Sequence, residues 1–151
     1  MTGTNHALTG ALIATVVSSP FISLPLAFGS HFVLDALPHF GENPQKRTVY
    51  TRIVWVLDAC LLALLLLFVL DRSLSDQALI LAGAVAALSP DFVWIYRLLF
   101  VDSKYTDTKN GAPKNRFNIF HASIQKYETR AGIVVEVFAA IVLFSLFVSW
   151  M

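Results

Sequence analysis

Cysteine, charge and long polar tracts are all scarce in this chain, and each scarcity removes a class of protein. The single cysteine, Cys60, has no partner for an internal disulfide. Set inside an apolar run, it reads as a small buried hydrophobe. Charged residues make up 14% of the sequence, against about 25% in soluble domains, which turns the reading toward a membrane. No G-x-S-x-G elbow and no glycine-rich phosphate loop occurs, so neither serine-hydrolase nor nucleotide-binding chemistry is indicated. Nothing basic precedes the first apolar run, which argues against a cleaved signal peptide. The polar, Gly/Pro-punctuated stretch 102–115 reads as a flexible loop and is not assigned a nucleic-acid partner.

What the chain has in abundance is apolar sequence, 56% of its 151 residues. Residues 53–70, 78–100 and 132–150 each approach the roughly 20 residues that cross a bilayer core. Each carries an acid: Asp58, Asp91 and Glu136. The N-terminal stretch 7–37 is also apolar but holds Pro20 and Pro25. As one helix it would run about 46 Å, so the prolines predict a pair of short helices, about 7–19 and 24–37. Each is a tilted span or half of a re-entrant hairpin. The expected fold is therefore all-α: a multi-pass transmembrane bundle in one domain, 1–151, with three full spans and a Pro-broken N-terminal pair. Helices are predicted at about 7–19, 24–37, 53–70, 78–100 and 116–150, with a flexible Gly/Pro-punctuated loop over 102–115. Trp55, Trp94 and Trp150 suit interfacial anchoring or packing.

Ten of the eleven Lys and Arg residues fall in two stretches, 46–52 and 97–130. If 53–70 and 78–100 both span, these stretches share one side, which the positive-inside rule makes cytoplasmic. A basic rim there also suits anionic membrane lipids.

The buried acids are the informative residues. Asp35, Asp58, Asp91 and Glu136 each cost roughly 2–3 kcal/mol or more at mid-membrane, so such groups normally face a polar interior. At 1.5 Å per residue, Asp58, Asp91 and Glu136 each lie about 9 Å from Arg52, Arg97 and Arg130, and Asp35 about 8 Å from Phe40. All four fall in one shallow layer. The histidines join it. In "SHFVLDALPHF", His31 and Asp35 are four apart and share a helix face. His6 opens the first helix after the cap-like Thr4-Asn5. His121, Gln125, Glu128, Gly132 and Glu136 form a stripe at helical spacing, with Gly132 leaving room beside it. Imidazole with carboxylate is the donor set of zinc, manganese and iron, and crowded carboxylates need protons or a cation. The spacing therefore suggests one or two divalent ions.

These residues resemble a known family. "NHALTGALIA", "SHFVLDALPH" and "SPDFVW" are similar to motifs of the inner-membrane-bound metal-dependent hydrolases, small multi-pass proteins with an N-terminal His, Pro-Asp steps and later His residues. "IFHASIQ" stands nearest to the later His motif of that family. The resemblance implies metal ligation by His6, His31, Asp35, Asp91 and His121. H-x3-D is also similar to part of the ligand set of zinc-dependent phospholipase C, at the level of analogy alone.

The expectation is a multi-pass inner-membrane (plasma-membrane) protein with its site facing the cytoplasm. Its function would be metal-dependent hydrolysis, zinc first among the metals, of a phosphate ester in a lipid or amphiphile. Glu128 or Asp58 would act as the base toward bound water. The alternatives are a proton-coupled carrier, which also needs buried Asp, Glu and His, and a metal-free accessory protein whose polar groups glue helices together.

Overall fold

The computed structural model describes residues 1–41, 48–71, 76–93 and 116–151. The expected loop 102–115, Trp94, Arg97 and the end of the predicted 78–100 helix lie outside them. The described chain is mostly helical. In order come α1 (Gly3–Val16), α2 (Pro20–Asp35), β1 (His39–Phe40), α3 (Val49–Asp71) and α4 (Gln77–Leu88). A 3-10 turn (Ser89–Asp91), α5 (Arg116–Ile124), β2 (Glu128–Thr129), a second 3-10 turn (Arg130–Gly132) and α6 (Ile133–Trp150) follow.

The N-terminal pair forms as expected, with shifted bounds. Extended backbone at Val17 and Ser19 separates the helices, because a residue before proline avoids the helical region. Pro20 then occupies the first turn of α2, where its missing N–H would be unpaired anyway. Pro25 does not break the chain but lies inside α2, forfeiting one intrahelical bond. The hydroxyls of Thr9, Thr15 and Ser23 close onto carbonyls four residues back, at 2.9, 2.9 and 3.0 Å. They therefore need no outside partner.

Of the three expected spans, two have a counterpart of sufficient length among the described helices. Val49–Asp71 and Arg130–Trp150 are long and apolar enough to cross a membrane. Their apolar side chains point outward: Leu57, Leu61, Leu64 and Leu67 of α3, and Val134, Val137, Phe138 and Ile141 of α6, are exposed. Cys60 is exposed on α3 as well, so it is an outward-facing residue and not the buried hydrophobe its sequence context suggests. The helix predicted at 78–100 does not form a full span among the described residues. Its α-helical geometry is interrupted after Leu88, where Ser89-Pro90-Asp91 tightens into the 3-10 turn before Phe92 and Val93 turn helical again; Pro90 cannot donate into an α-helical ladder.

The largest departure concerns 116–150, expected as one helix. Helix α5 stops at Ile124, and Glu128–Thr129 pairs in parallel with His39–Phe40, register His39 with Glu128 and Phe40 with Thr129. Thr129 Oγ1 then accepts from the Gly132 amide at 3.1 Å and restarts the helix. The stripe from His121 to Glu136 is thereby cut in two. The space beside Gly132 is filled by backbone, since a Cβ there would lie 2.0 Å from the His39 carbonyl oxygen.

Helix α1 is the centre of the bundle, packed against α2, α3, α4 and α6. Its small residues Ala7, Gly10, Ala11 and Ala14 are buried, and Leu8 joins Leu65, Val69, Ile80 and Phe147 in the core. Small residues let helix backbones approach closely without aqueous hydrophobic driving force. At the α1–α4 crossing, a Cβ on Gly10 would lie 2.2 Å from the Gly83 carbonyl oxygen. Backbone cannot yield as a side chain does, so Gly10→Val or Gly83→Val should lower stability by about 1–3 kcal/mol. Gly29→Ala, with nothing within 4 Å of the new Cβ, should be neutral or slightly stabilising. Thermal melts in detergent followed by circular dichroism check this; equal melting of the valine variants and wild type would overturn the close crossing.

Candidate metal centre

The polar residues of α2 meet their partners at the α2 C-terminus. Asp35, 1% exposed, is the hub. Its Oδ1 is contacted by the Met1 ammonium and by His6 Nε2 at 3.1 Å. Its Oδ2 lies 2.8 Å from His121 Nε2, 3.2 Å from His31 Nε2 and 3.2 Å from the Gln125 side-chain amide. His31 Nε2 is 3.1 Å from His121 Nε2 and 3.6 Å from Asp91 Oδ1. The His6 and His31 rings stack with centroids 4.0 Å apart. His6, His31 and His121 are fully buried, while Asp91 is 31% exposed.

All five residues expected to ligate a metal are therefore brought together. They form two groups of three, His6–His31–Asp91 and His31–Asp35–His121, whose donor atoms lie within 4.8 Å of one another. The edges of the second group, 2.8, 3.1 and 3.2 Å, match ligand spacing around a small divalent ion. Bonds of about 2.0–2.1 Å give edges of about 3.0 Å in an octahedron and about 3.3 Å in a tetrahedron.

His31 shows how its ring is aimed. Its Nδ1 lies 2.8 Å from the Ala87 carbonyl oxygen, which can only accept, so Nδ1 donates to it and Nε2 is the nitrogen turned toward the cluster. A carbonyl behind a ligating imidazole is the usual way of fixing its tautomer and orientation. That carbonyl belongs to the last turn of α4, where helix carbonyls lack intrahelical partners, just ahead of Ser89-Pro90. His6 differs: its Nδ1 is buried with no partner among the described residues.

Asp58 and Glu136 do not join the imidazoles. They hold the N-terminus of α1. Asp58 accepts from the amides of Gly3 and Thr4, both at 2.9 Å. Glu136 accepts from the Thr2 amide at 3.0 Å, the Thr2 hydroxyl at 2.8 Å, the Asn5 side-chain amide at 2.6 Å and the Phe40 amide at 3.2 Å. The first amides of a helix have no internal acceptors, and the helix dipole adds positive potential there. Both acids satisfy that need, and the base role expected of Asp58 has no geometric support. The cap itself is Thr2; Thr4 and Asn5 lie buried inside the helix.

Glu128, the other expected base, is also apart from the cluster. It stands 3.5 Å from His39 Nε2, while His39 Nδ1 donates to the Leu37 carbonyl at 2.7 Å. Aromatic side chains wall the cluster on the α5 side: the Phe32 ring meets those of His31 at 5.3 Å and His121 at 5.9 Å. Comparison with models of known protein families, with curated proteins and with solved structures gives no match to this chain.

Burial pulls the His39 imidazole down, but the Glu128 carboxylate and the Leu37 carbonyl outweigh it, and the net shift is upward from 6.5. A raised imidazole pKa adds stability in full below the unfolded value, lost as pH climbs through the folded one. The melting-temperature gap between wild type and Glu128→Gln should therefore be widest near pH 5–6 and narrow toward about pH 9. Melts across that range test it; a gap independent of pH would mean that the Glu128 charge does not act through His39.

Proposed function

We propose that the protein is a membrane-embedded, metal-dependent hydrolase acting on a phosphate ester of a lipid or amphiphile. One observation carries the reading. Three buried imidazoles and two carboxylates from four elements converge in an apolar protein, with His31 held so that its Nε2 faces inward. Burying so many ionisable groups is costly unless they are neutralised together, and their donor chemistry suits zinc, with manganese or iron as alternatives. Both triads draw on His31, whose Nδ1 is already taken by the Ala87 carbonyl, so a single ion is the expected content. A divalent cation held there supplies Lewis acidity and a bound water of lowered pKa.

The chain's own residues divide the remaining work. Asp35 and His121 close the buried side, and His6 stacks behind His31. Asp91, the partly exposed member, faces the approach and takes the role of base in place of Glu128 or Asp58. Phe32 and its neighbours line an apolar wall suited to a tail-bearing substrate.

The membrane setting is supported by the exposed apolar faces of α3 and α6. Asp58 and Glu136, each six residues after an arginine, meet the same helix end. The two spans thus start on one side, their basic ends together, which favours a cytoplasmic site in the inner membrane.

A second reading has its own support. The short contacts from His6 through Asp35 to His121 are also what a proton relay requires, as in a proton-coupled carrier. Elemental analysis of the purified full-length protein separates the two. About one equivalent of zinc, manganese or iron is expected in the wild type. Affinity should fall beyond the roughly 10–100-fold typical of outer-shell changes in His31→Ala and in Asp35→Ala. Hydrolysis of lipid phosphoesters should vanish with it. No metal after incubation with each ion would overturn the hydrolase in favour of the relay.

A further inference from the structure

His6 poses a positioning problem. It is fully buried with Nε2 3.1 Å from Asp35, yet no group among the described residues holds its Nδ1. His31 is aimed by the Ala87 carbonyl; His6 has no such carbonyl among the described residues, and its ring stacks on His31. Its aim must come from its backbone. Its amide makes an early bond of α1, to the Thr2 carbonyl at 3.2 Å, so the ring follows the path of residues 2–5. That path is set by two carboxylates from other elements. Asp58 of α3 takes the amides of Gly3 and Thr4, and Glu136 of α6 takes Thr2 and Asn5.

We propose that Asp58 and Glu136 are positioning residues for the metal centre: they clamp the α1 N-terminus from two sides and so fix where His6 Nε2 points. This rests on the metal-binding reading above. The acids act at a distance of one helical turn and never touch the ion. Asn5 ties the arrangement further, because its side-chain amide bonds both the backbone carbonyl and the carboxylate of Glu136, at 3.1 and 2.6 Å.

The test is a cobalt(II) titration of the full-length protein in detergent, read by the visible absorption of the bound ion. The set is wild type, Asp58→Asn, Glu136→Gln, His6→Ala and the two doubles with His6→Ala. Each cap variant keeps a carbonyl acceptor, and having two guards against one failing to fold. Each should weaken cobalt binding roughly 10–100-fold and alter the absorption band. In the His6→Ala background the same substitutions should cost nothing further, since their effect passes through that ring. A merely structural role would lower melting temperature but leave affinity and band in place, or cost as much without His6; either result overturns the proposal. A wild type that binds no cobalt overturns both this inference and the metal reading, whereas cobalt binding insensitive to the cap variants overturns this inference alone.

Discussion

A buried helix N-terminus is the constraint around which this molecule is arranged. Helix α1 runs through the middle of the bundle, with Thr4 and Asn5 buried and Thr2 and Gly3 half-buried, so its first amides meet little water. Unpaired, each would cost about 1–3 kcal/mol. Thr2 at the cap position offers no side-chain bond to its own helix. Carboxylates on neighbouring elements supply the acceptors instead: Asp58 from α3 and Glu136 from α6. Asp35, at the end of α2, meets the Met1 ammonium and His6. Three acids that would be prohibitive alone are therefore each matched to donors that would be equally costly alone. The helix end and the acids stabilise one another.

The same arrangement places the imidazoles. With α1 fixed by its end and by the Gly10–Gly83 crossing, His6 lies against His31. Close approach of α1 and α4, with α2 packed on both, also brings the final turn of α4 within hydrogen-bond reach of His31. The small residues of α1 and the Ser89-Pro90 break are thus part of the site, though none of them carries its chemistry. A wider crossing at Gly83 would carry the Ala87 carbonyl, four residues on, away from His31.

Much of this is legible in the sequence because ionisable residues are so rare there. In an apolar chain, His31 and Asp35 one turn apart, and Asp91 after Ser-Pro, are too costly to be incidental, and His6 and His121 are their natural complements. What one dimension withholds is rotation. Counting residues from the basic ends puts Asp58 and Glu136 at the same depth as Asp35 and Asp91, but depth does not say which side of α1 a helix occupies. The packing order puts α2, α4 and α5 on the imidazole side, and α3 and α6 at the helix end. The bridge of His39–Phe40 with Glu128–Thr129 is equally hidden. Two residues of strand paired across a long sequence separation leave no periodicity to read, so the stripe through Glu128 looks helical. Cys60 misleads for the opposite reason: an apolar neighbourhood in sequence means burial in a soluble protein, whereas on α3 the apolar face is the outer one.

Architecture and chemistry are therefore not separable into different residues at this site, and the electrostatics explain why. A carboxylate in apolar surroundings must be answered by a cation or by several donors. Asp58 and Glu136 are answered by backbone and side-chain donors that the fold supplies. Asp35 is answered by imidazoles, the Gln125 amide and an ammonium, and imidazoles are exchangeable partners: each can give a proton, take one, or turn a lone pair toward an ion. Among the described residues Asp91 has the fewest answers, a single imidazole at 3.6 Å and partial contact with the outside. Along the series from Glu136 through Asp35 to Asp91 the carboxylates pass from fully committed to open. On the proposed reading chemistry belongs at the open end, and the committed end is what holds it still.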